Sequence, residues 1–206
     1  MFAVGIRDEG FYRLAQALET VDDLPTEEMQ KHFEARTARH IGLVQKYCKR
    51  LAEAFPDLDG LLYKGSVHDS SKFEDPELLP YIWLTWRYKC KDDGIPCVLP
   101  EGMEDKINEA TEHHIQNNAH HPEFHQPQTD TVNESDRDAP PDDPTDATSM
   151  PRLDIAECVA DWCAMSEERG NTPREWADKN INIRWLFDSQ QVSWIYEMID
   201  AVWGDF

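Results

Sequence analysis

"LPTEEMQKHFEARTARHIGLVQKYCKRLAEAF", residues 24–55, decides the fold class. Thr26 is a residue type that caps helix N-termini, and Glu27 and Glu28 follow where carboxylates complement the positive end of the helix dipole. Phe33, Ile41, Val44, Cys48, Leu51 and Phe55 then recur at roughly a 3.6-residue period until Pro56 ends the run. The pattern predicts one long amphipathic helix. His40 lies inside it.

Outward from that stretch, helical patterning continues. Arg7 to about Thr20 is a short amphipathic segment with Phe11, Leu14, Ala15 and Leu18 at helical spacing. After a turn at Asp57 to Gly60, "LLYKGSVHDSSKF" (61–73) reads as a helix start. Pro76 and Pro80 break the chain before the aromatic helical segment "YIWLTWRYK" (81–89), and Gly94 to Gly102 is a loop. "MEDKINEATEHHIQNNAHH" (103–121) is expected to stay helical until Pro122. "LDIAECVADWCAMSEER" (153–169) is an amphipathic helix stopped by Gly170, and Thr172 and Pro173 restart a helix at "REWADKN". "IRWLFDSQQVSWIYEMIDAVW" (183–203) closes the fold, with Trp176, Trp185, Trp194 and Trp203 as core anchors. No strand alternation and no repeat is visible. The expectation is all-α: a single helical bundle over residues 1–206.

One stretch departs from this. Residues 126–149 hold Pro127, Pro140, Pro141 and Pro144, many acidic residues and almost no large apolar side chain. They read as a mobile acidic insertion too polar to pack.

Composition narrows function. With 40% hydrophobic residues and seven tryptophans the chain can bury a core, while 20 Lys and Arg against 41 Asp and Glu give a net charge of −21. That field repels phosphate backbones, so direct nucleic-acid or anionic-membrane binding is not expected. A small phosphorylated substrate stays admissible, because a bound cation inverts the field locally. No apolar run is long enough to span a membrane, and "MFAVGIRDEGFYRLAQ" lacks the basic start of a secretory signal. Cys48, Cys90, Cys97, Cys158 and Cys163 form no C-x-x-C pair and read as reduced thiols in a cytoplasmic protein.

The chemistry-bearing residues are unevenly placed. In "KGSVHDSSKF" (64–73), His68 and Asp69 are adjacent. Neighbours on a helix point about 100° apart, so they share a ligand only if other helices complete its shell. Four more histidines crowd "EHHIQNNAHHPEF": His113, His114, His120 and His121. On one helix His113 would sit over His120 and His114 over His121. Imidazoles with carboxylates suit a divalent transition metal. Asp161 is preferred to Asp154 and Glu157 because Trp162 and Cys163 place it in the apolar part of its helix, where an unpaired carboxylate is costly. Lys72, one turn beyond His68, is placed to reach a phosphate or to pair with a ligand carboxylate. Glu123 is placed to orient a histidine or to act as a general acid or base. Arg169 and Arg174 are candidates for substrate phosphate. His32 and His125 are expected at the solvent surface.

His40, His68–Asp69 with Lys72, and Asp161 follow the order H…HD…D, which resembles the HD-domain superfamily. More narrowly, "HDSSKF", "HHIQNNAHHPEF" and "ADWCAMSEERGNTPREW" together are similar to uncharacterised HD-like proteins of phages and bacteria. The resemblance covers residues 36 to 180 apart from the acidic insertion. It implies an HD-like helical bundle and a metal-dependent phosphohydrolase acting on a small phosphate ester, above all a nucleotide. It also implies a first metal held by His40, His68, Asp69 and Asp161. A second would draw on His113, His114, His120 and His121, although in two-metal members such histidines lie on different helices. One or two ions of manganese, iron, cobalt, nickel or zinc fit the donors, and the count stays open, as does a homo-oligomer. The alternatives are a di-iron oxygenase and a metal-stabilised, non-catalytic binding protein whose acidic loop engages a basic partner.

Overall fold

The computed structural model describes residues 24–126 and 143–204. The amphipathic segment expected at Arg7 to Thr20 lies outside them. Among the described residues the chain folds into seven α-helices: α1 (Glu27–Ala54), α2 (Leu61–Val67), α3 (Leu78–Asp92), α4 (Met103–Asn117), α5 (Arg152–Arg169), α6 (Pro173–Asn180) and α7 (Ser189–Val202). Short 3₁₀ turns occupy Ser70–Phe73 and Pro122–His125. The all-α expectation is met.

α1 starts where its sequence signals: the Thr26 side chain accepts from Met29 N. Its buried face is Met29, Phe33, Thr37, His40, Val44, Tyr47, Cys48 and Leu51. The stripe therefore runs through His40, while Ile41 is only half-buried. α5 is covered on most sides, with Ile155, Ala156, Cys158, Val159, Ala160, Trp162, Cys163 and Ala164 buried, as a central helix must be. It packs on α1, α2, α6 and α7. α2 approaches α1 so closely that a Cβ at Gly65 would lie 3.0 Å from Cys48 Sγ. Only glycine suits that contact.

Two apolar cores result. The larger joins the C-terminal half of α1 to α5 and α7, through residues such as Val44, Leu51, Val159 and Ile199. The smaller joins Met29 and Phe33 of α1 to Tyr81, Ile82, Met103 and Ile107 of α3 and α4. A large apolar side chain buried in this way stabilises by ~1.5–3 kcal/mol, and the two cores together offset the cost of burying ionisable groups between them. Thr37 and His40 occupy that gap on α1.

Several boundaries differ from the sequence reading. α3 begins at Leu78, so Pro80 sits in its first turn, a place where proline costs no intrahelical hydrogen bond. The last helix begins only at Ser189, capped by Asp188 with Gln191 in a reciprocal box. Trp185 and Leu186 before it instead pair in parallel with Thr145 and Asp146. The described end of the acidic insertion, 143–149, is therefore packed: Ala147 is fully buried, and Gln191 Nε2 donates to the carbonyls of Ala147, Thr148 and Met150. Polar sequence here is tied down by one amide side chain. Residues 127–142 of the insertion lie outside the description. No described helix is long and apolar enough to cross a membrane.

Candidate metal centre

His68 is not part of a continuous helix. α2 stops at Val67, His68 caps it, and Asp69 takes a left-handed backbone (φ 58°) before the Ser70–Phe73 turn. Aspartate tolerates that conformation better than most residues. The break aims both side chains inwards, where a continuous helix would spread them around its axis.

The histidine cluster breaks as well. α4 ends at Asn117, because Asn117 Nδ2 and Asn118 Nδ2 bond back to the carbonyls of His113 and His114. The stacking of His113 over His120 and His114 over His121 is therefore overturned. His114 comes from α4 and His120 from the turn after it, so the two approach from different directions.

Asp69 stands at the middle. Its Oδ1 lies 3.1 Å from His114 Nε2, 3.7 Å from His68 Nε2 and 3.8 Å from His120 Nε2. Its Oδ2 lies 3.7 Å from His40 Nε2 and accepts from Lys72 Nζ at 2.5 Å. Asp161 Oδ1 is 3.0 Å from His40 Nε2 and 3.9 Å from His68 Nε2. Four imidazoles from α1, α2, α4 and the following turn thus present Nε2 to two aspartates.

Behind each ring stands a carboxylate. His68 Nδ1 meets Glu157 Oε1 at 3.0 Å, His114 Nδ1 meets Glu77 Oε2 at 2.8 Å, and His40 Nδ1 faces Glu168 Oε2 at 3.5 Å. His120 Nδ1 lies 3.6 Å from the same Glu157 oxygen. Burial works to raise the pKa of Glu77 and Glu157, but His114 and His113 for the first, and His68 and Lys64 for the second, hold both below the usual range. An ionised carboxylate only accepts, so Nδ1 of His68 and of His114 carries a hydrogen and Nε2 is the nitrogen turned to the centre. Carboxylates orient metal-ligating imidazoles in this way.

The ionisation of the other donors agrees. Burial opposes a charged Asp69, yet Lys72 and then His68 and His114 keep its pKa well below the ordinary value. Asp161 is likewise lowered, by His40 against burial. Burial, and then His68 and His121, push His120 well down. His40 is the exception: burial would lower it, but Asp161 and Glu168 outweigh burial and raise it to about 9.

His114 Nε2 and Asp69 Oδ1 are both buried, 3.1 Å apart, and share no hydrogen bond; His68 Nε2 also lacks one. So short an approach of an imidazole nitrogen to a carboxylate oxygen needs a proton or a cation between them. The donor set fits a cation on that observation. His40, His68 and Asp69 bring ligand atoms within 4.8 Å of one another, as do His68, His120 and Glu157, and His114, His120 and His121.

Apart from His121, the remaining predicted residues stand outside these groups. His113, 40% exposed, faces Glu77 Oε1 at 2.8 Å and stands behind His114, outside the centre. His121 is half-buried at the edge, its ring 4.2 Å from that of His120. Lys72 is committed to Asp69 and lies over the Tyr81 ring, which makes it a positioning group. Glu123 Oε1 accepts from Trp185 Nε1 at 2.8 Å, a tie to the packed strand pair. Arg169 is exposed at the end of α5, one residue beyond Glu168. Arg174 is exposed and pairs with Asp200 across α6 and α7. His125 is not solvent-exposed as expected: its Nε2 bonds Ala119 O, and its side chain is 8% exposed. His32 is half-buried against Trp86.

Glu77 and Glu168 were not anticipated, and Glu157 only as a rival to Asp161. Helical spacing held the clue for two of them, since Glu157 and Glu168 lie four before and seven after Asp161, on one face of α5. Glu77 stands just before α3 and had no such signal.

No curated protein and no solved structure matches this chain. A family model does, from residue 29 to residue 201, across both halves of the centre and the acidic stretch between them: the chain belongs to the family of unknown function DUF5662.

Proposed function

We propose that the protein is a metal-dependent phosphohydrolase acting on a small phosphate ester of the nucleotide class. The observation that supports it most is the buried, unbonded approach of His114 Nε2 to Asp69 Oδ1, inside a ring of carboxylate-backed imidazoles. His40, His68, Asp69, Asp161, His114 and His120 would hold one or two divalent ions. A divalent ion bound there supplies Lewis acidity towards a phosphoryl oxygen and lowers the pKa of a coordinated water.

The chain's own residues do the rest. Glu77, Glu157 and Glu168 hold imidazoles 114, 68 and 40 in orientation. Lys72 fixes the Asp69 carboxylate, and Ser71 Oγ donates to Glu77 Oε2 at 3.0 Å. Glu157 is itself steadied by Lys64, whose Nζ is 2.9 Å from Oε2. The resemblance to HD-domain proteins is the second support.

One geometric feature favours a second reading. Asp69 turns Oδ1 towards His68, His114 and His120 and Oδ2 towards His40, so these residues would hold two ions as well as one. With iron in both places, an oxygenase is the alternative. The test is elemental analysis of native protein, then a screen of nucleoside mono- and triphosphates for released phosphate alongside oxygen consumption. Phosphate release lost in Asp69→Asn supports the hydrolase. Bound iron with oxygen uptake and no phosphate release supports the oxygenase.

A further inference from the structure

Positive charge is scarce here, with 20 Lys and Arg against 41 Asp and Glu. Most basic side chains around the centre are spent on neighbours: Lys64 on Asp154 and Glu157, Lys72 on Asp69, and Lys46 on Glu167. Arg36 and Arg39 are different. Both are exposed on α1, and among the described residues neither closes an ion pair or a hydrogen bond.

Their position gives that freedom a use. Arg36 lies four residues before His40, on the same side of the helix. Helical side chains lean towards the N-terminus, so the His40 ring lies over the turn that carries Arg36. The centre is also most open on this edge. Asp161 and Glu168, the partners of His40, are 19% and 12% exposed, whereas His68 and Asp69 are at 1% or less.

Arg36 also acts on the turn behind it. One turn back, His32 is lowered by burial and then by Lys89 and Arg36. Beyond Arg36, an open groove of about 330 Å³ runs between α1 and α3, lined also by His32, Thr85, Tyr88, Lys89, Asp92 and Asp93. The protein's own side chains do not fill it.

We infer that Arg36 and Arg39 form an anion-binding rim for a second phosphate of the substrate, about one helical turn (~5.4 Å) from the group held at the centre. The inference rests on the phosphohydrolase reading and narrows it to substrates carrying at least two phosphates. Paired guanidiniums suit a phosphate better than lysines would, because each offers a planar fork of donors.

The test is binding, which needs no turnover. Manganese-loaded full-length protein is titrated by calorimetry with inorganic tripolyphosphate and with orthophosphate, and metal content is checked afterwards. The double variant Arg36→Gln/Arg39→Gln should bind tripolyphosphate at least tenfold more weakly. Its orthophosphate affinity should change less than threefold, with the same thermal midpoint and metal content as the native protein. Arg87→Gln, which removes a charge paired with Glu104 elsewhere on the surface, should change neither. The rim is refuted if tripolyphosphate affinity survives the double substitution, or if orthophosphate affinity falls by the same factor. Absence of phosphate release from every ester would instead remove the hydrolase reading and leave the binding difference standing.

Discussion

His68 gives its Nδ1–H to Glu157 Oε1 over 3.0 Å, and that one bond turns Nε2 towards Asp69 and Asp161. Glu157→Gln keeps the shape of the side chain but no longer fixes the tautomer. Loss of such an orienting carboxylate costs about 10–100-fold in metal affinity. Metal titration of chelator-stripped protein should show that loss with an unchanged circular dichroism spectrum. Unaltered affinity would mean Glu157 is only a partner for Lys64.

Asp69 touches every branch of the centre. Asp69→Asn preserves the left-handed backbone, which asparagine also accepts, and removes the negative charge. Native protein grown in metal-replete medium should carry about one or two transition-metal equivalents, and the variant should carry far less. Native protein without stoichiometric metal would end the metal reading.

The pH dependence of the metal-free protein follows from His40. Its folded pKa is raised to about 9 from the usual 6.5. A raised value contributes stability that is complete below about 6.5 and is lost as pH climbs through about 9, on the order of 3 kcal/mol in all. Urea midpoints of chelated protein should therefore fall between pH 6.5 and 9. Metal-loaded protein should not share that fall, since a bound ion replaces the proton. A flat profile in the chelated protein would contradict the His40 environment described above.

Gln191 holds three carbonyls of the segment leading into α5. Gln191→Leu fills the same space without the donor and leaves buried acceptors unpaired. The expected loss is about 1–3 kcal/mol by urea denaturation. A change below about 0.5 kcal/mol, the range of ordinary surface substitutions, would show that water replaces the amide freely.

The helices and the ligand set were legible for different reasons. Apolar spacing in α1 and α5 follows the helical period, so fold class could be read directly. His40, His68, Asp69 and Asp161 were legible only as an ordered set, and the structure does bring them together. Local breaks were harder. The two asparagines that end α4 and the left-handed Asp69 are both polar residues bonding or turning against a helical pattern, and the pattern masked them. Glu77 stands in the turn just before α3, where no helical repeat ties it to the other ligands.

α1 runs through both apolar cores, and Thr37 and His40 lie between them on its buried face. Cooperativity between them would therefore pass through a seam whose charges a bound ion would balance. Calorimetry of the loaded protein should give one sharp endotherm. After chelation the same protein should melt over a broader range, with the Phe33 side and the Leu51 side loosening at different temperatures.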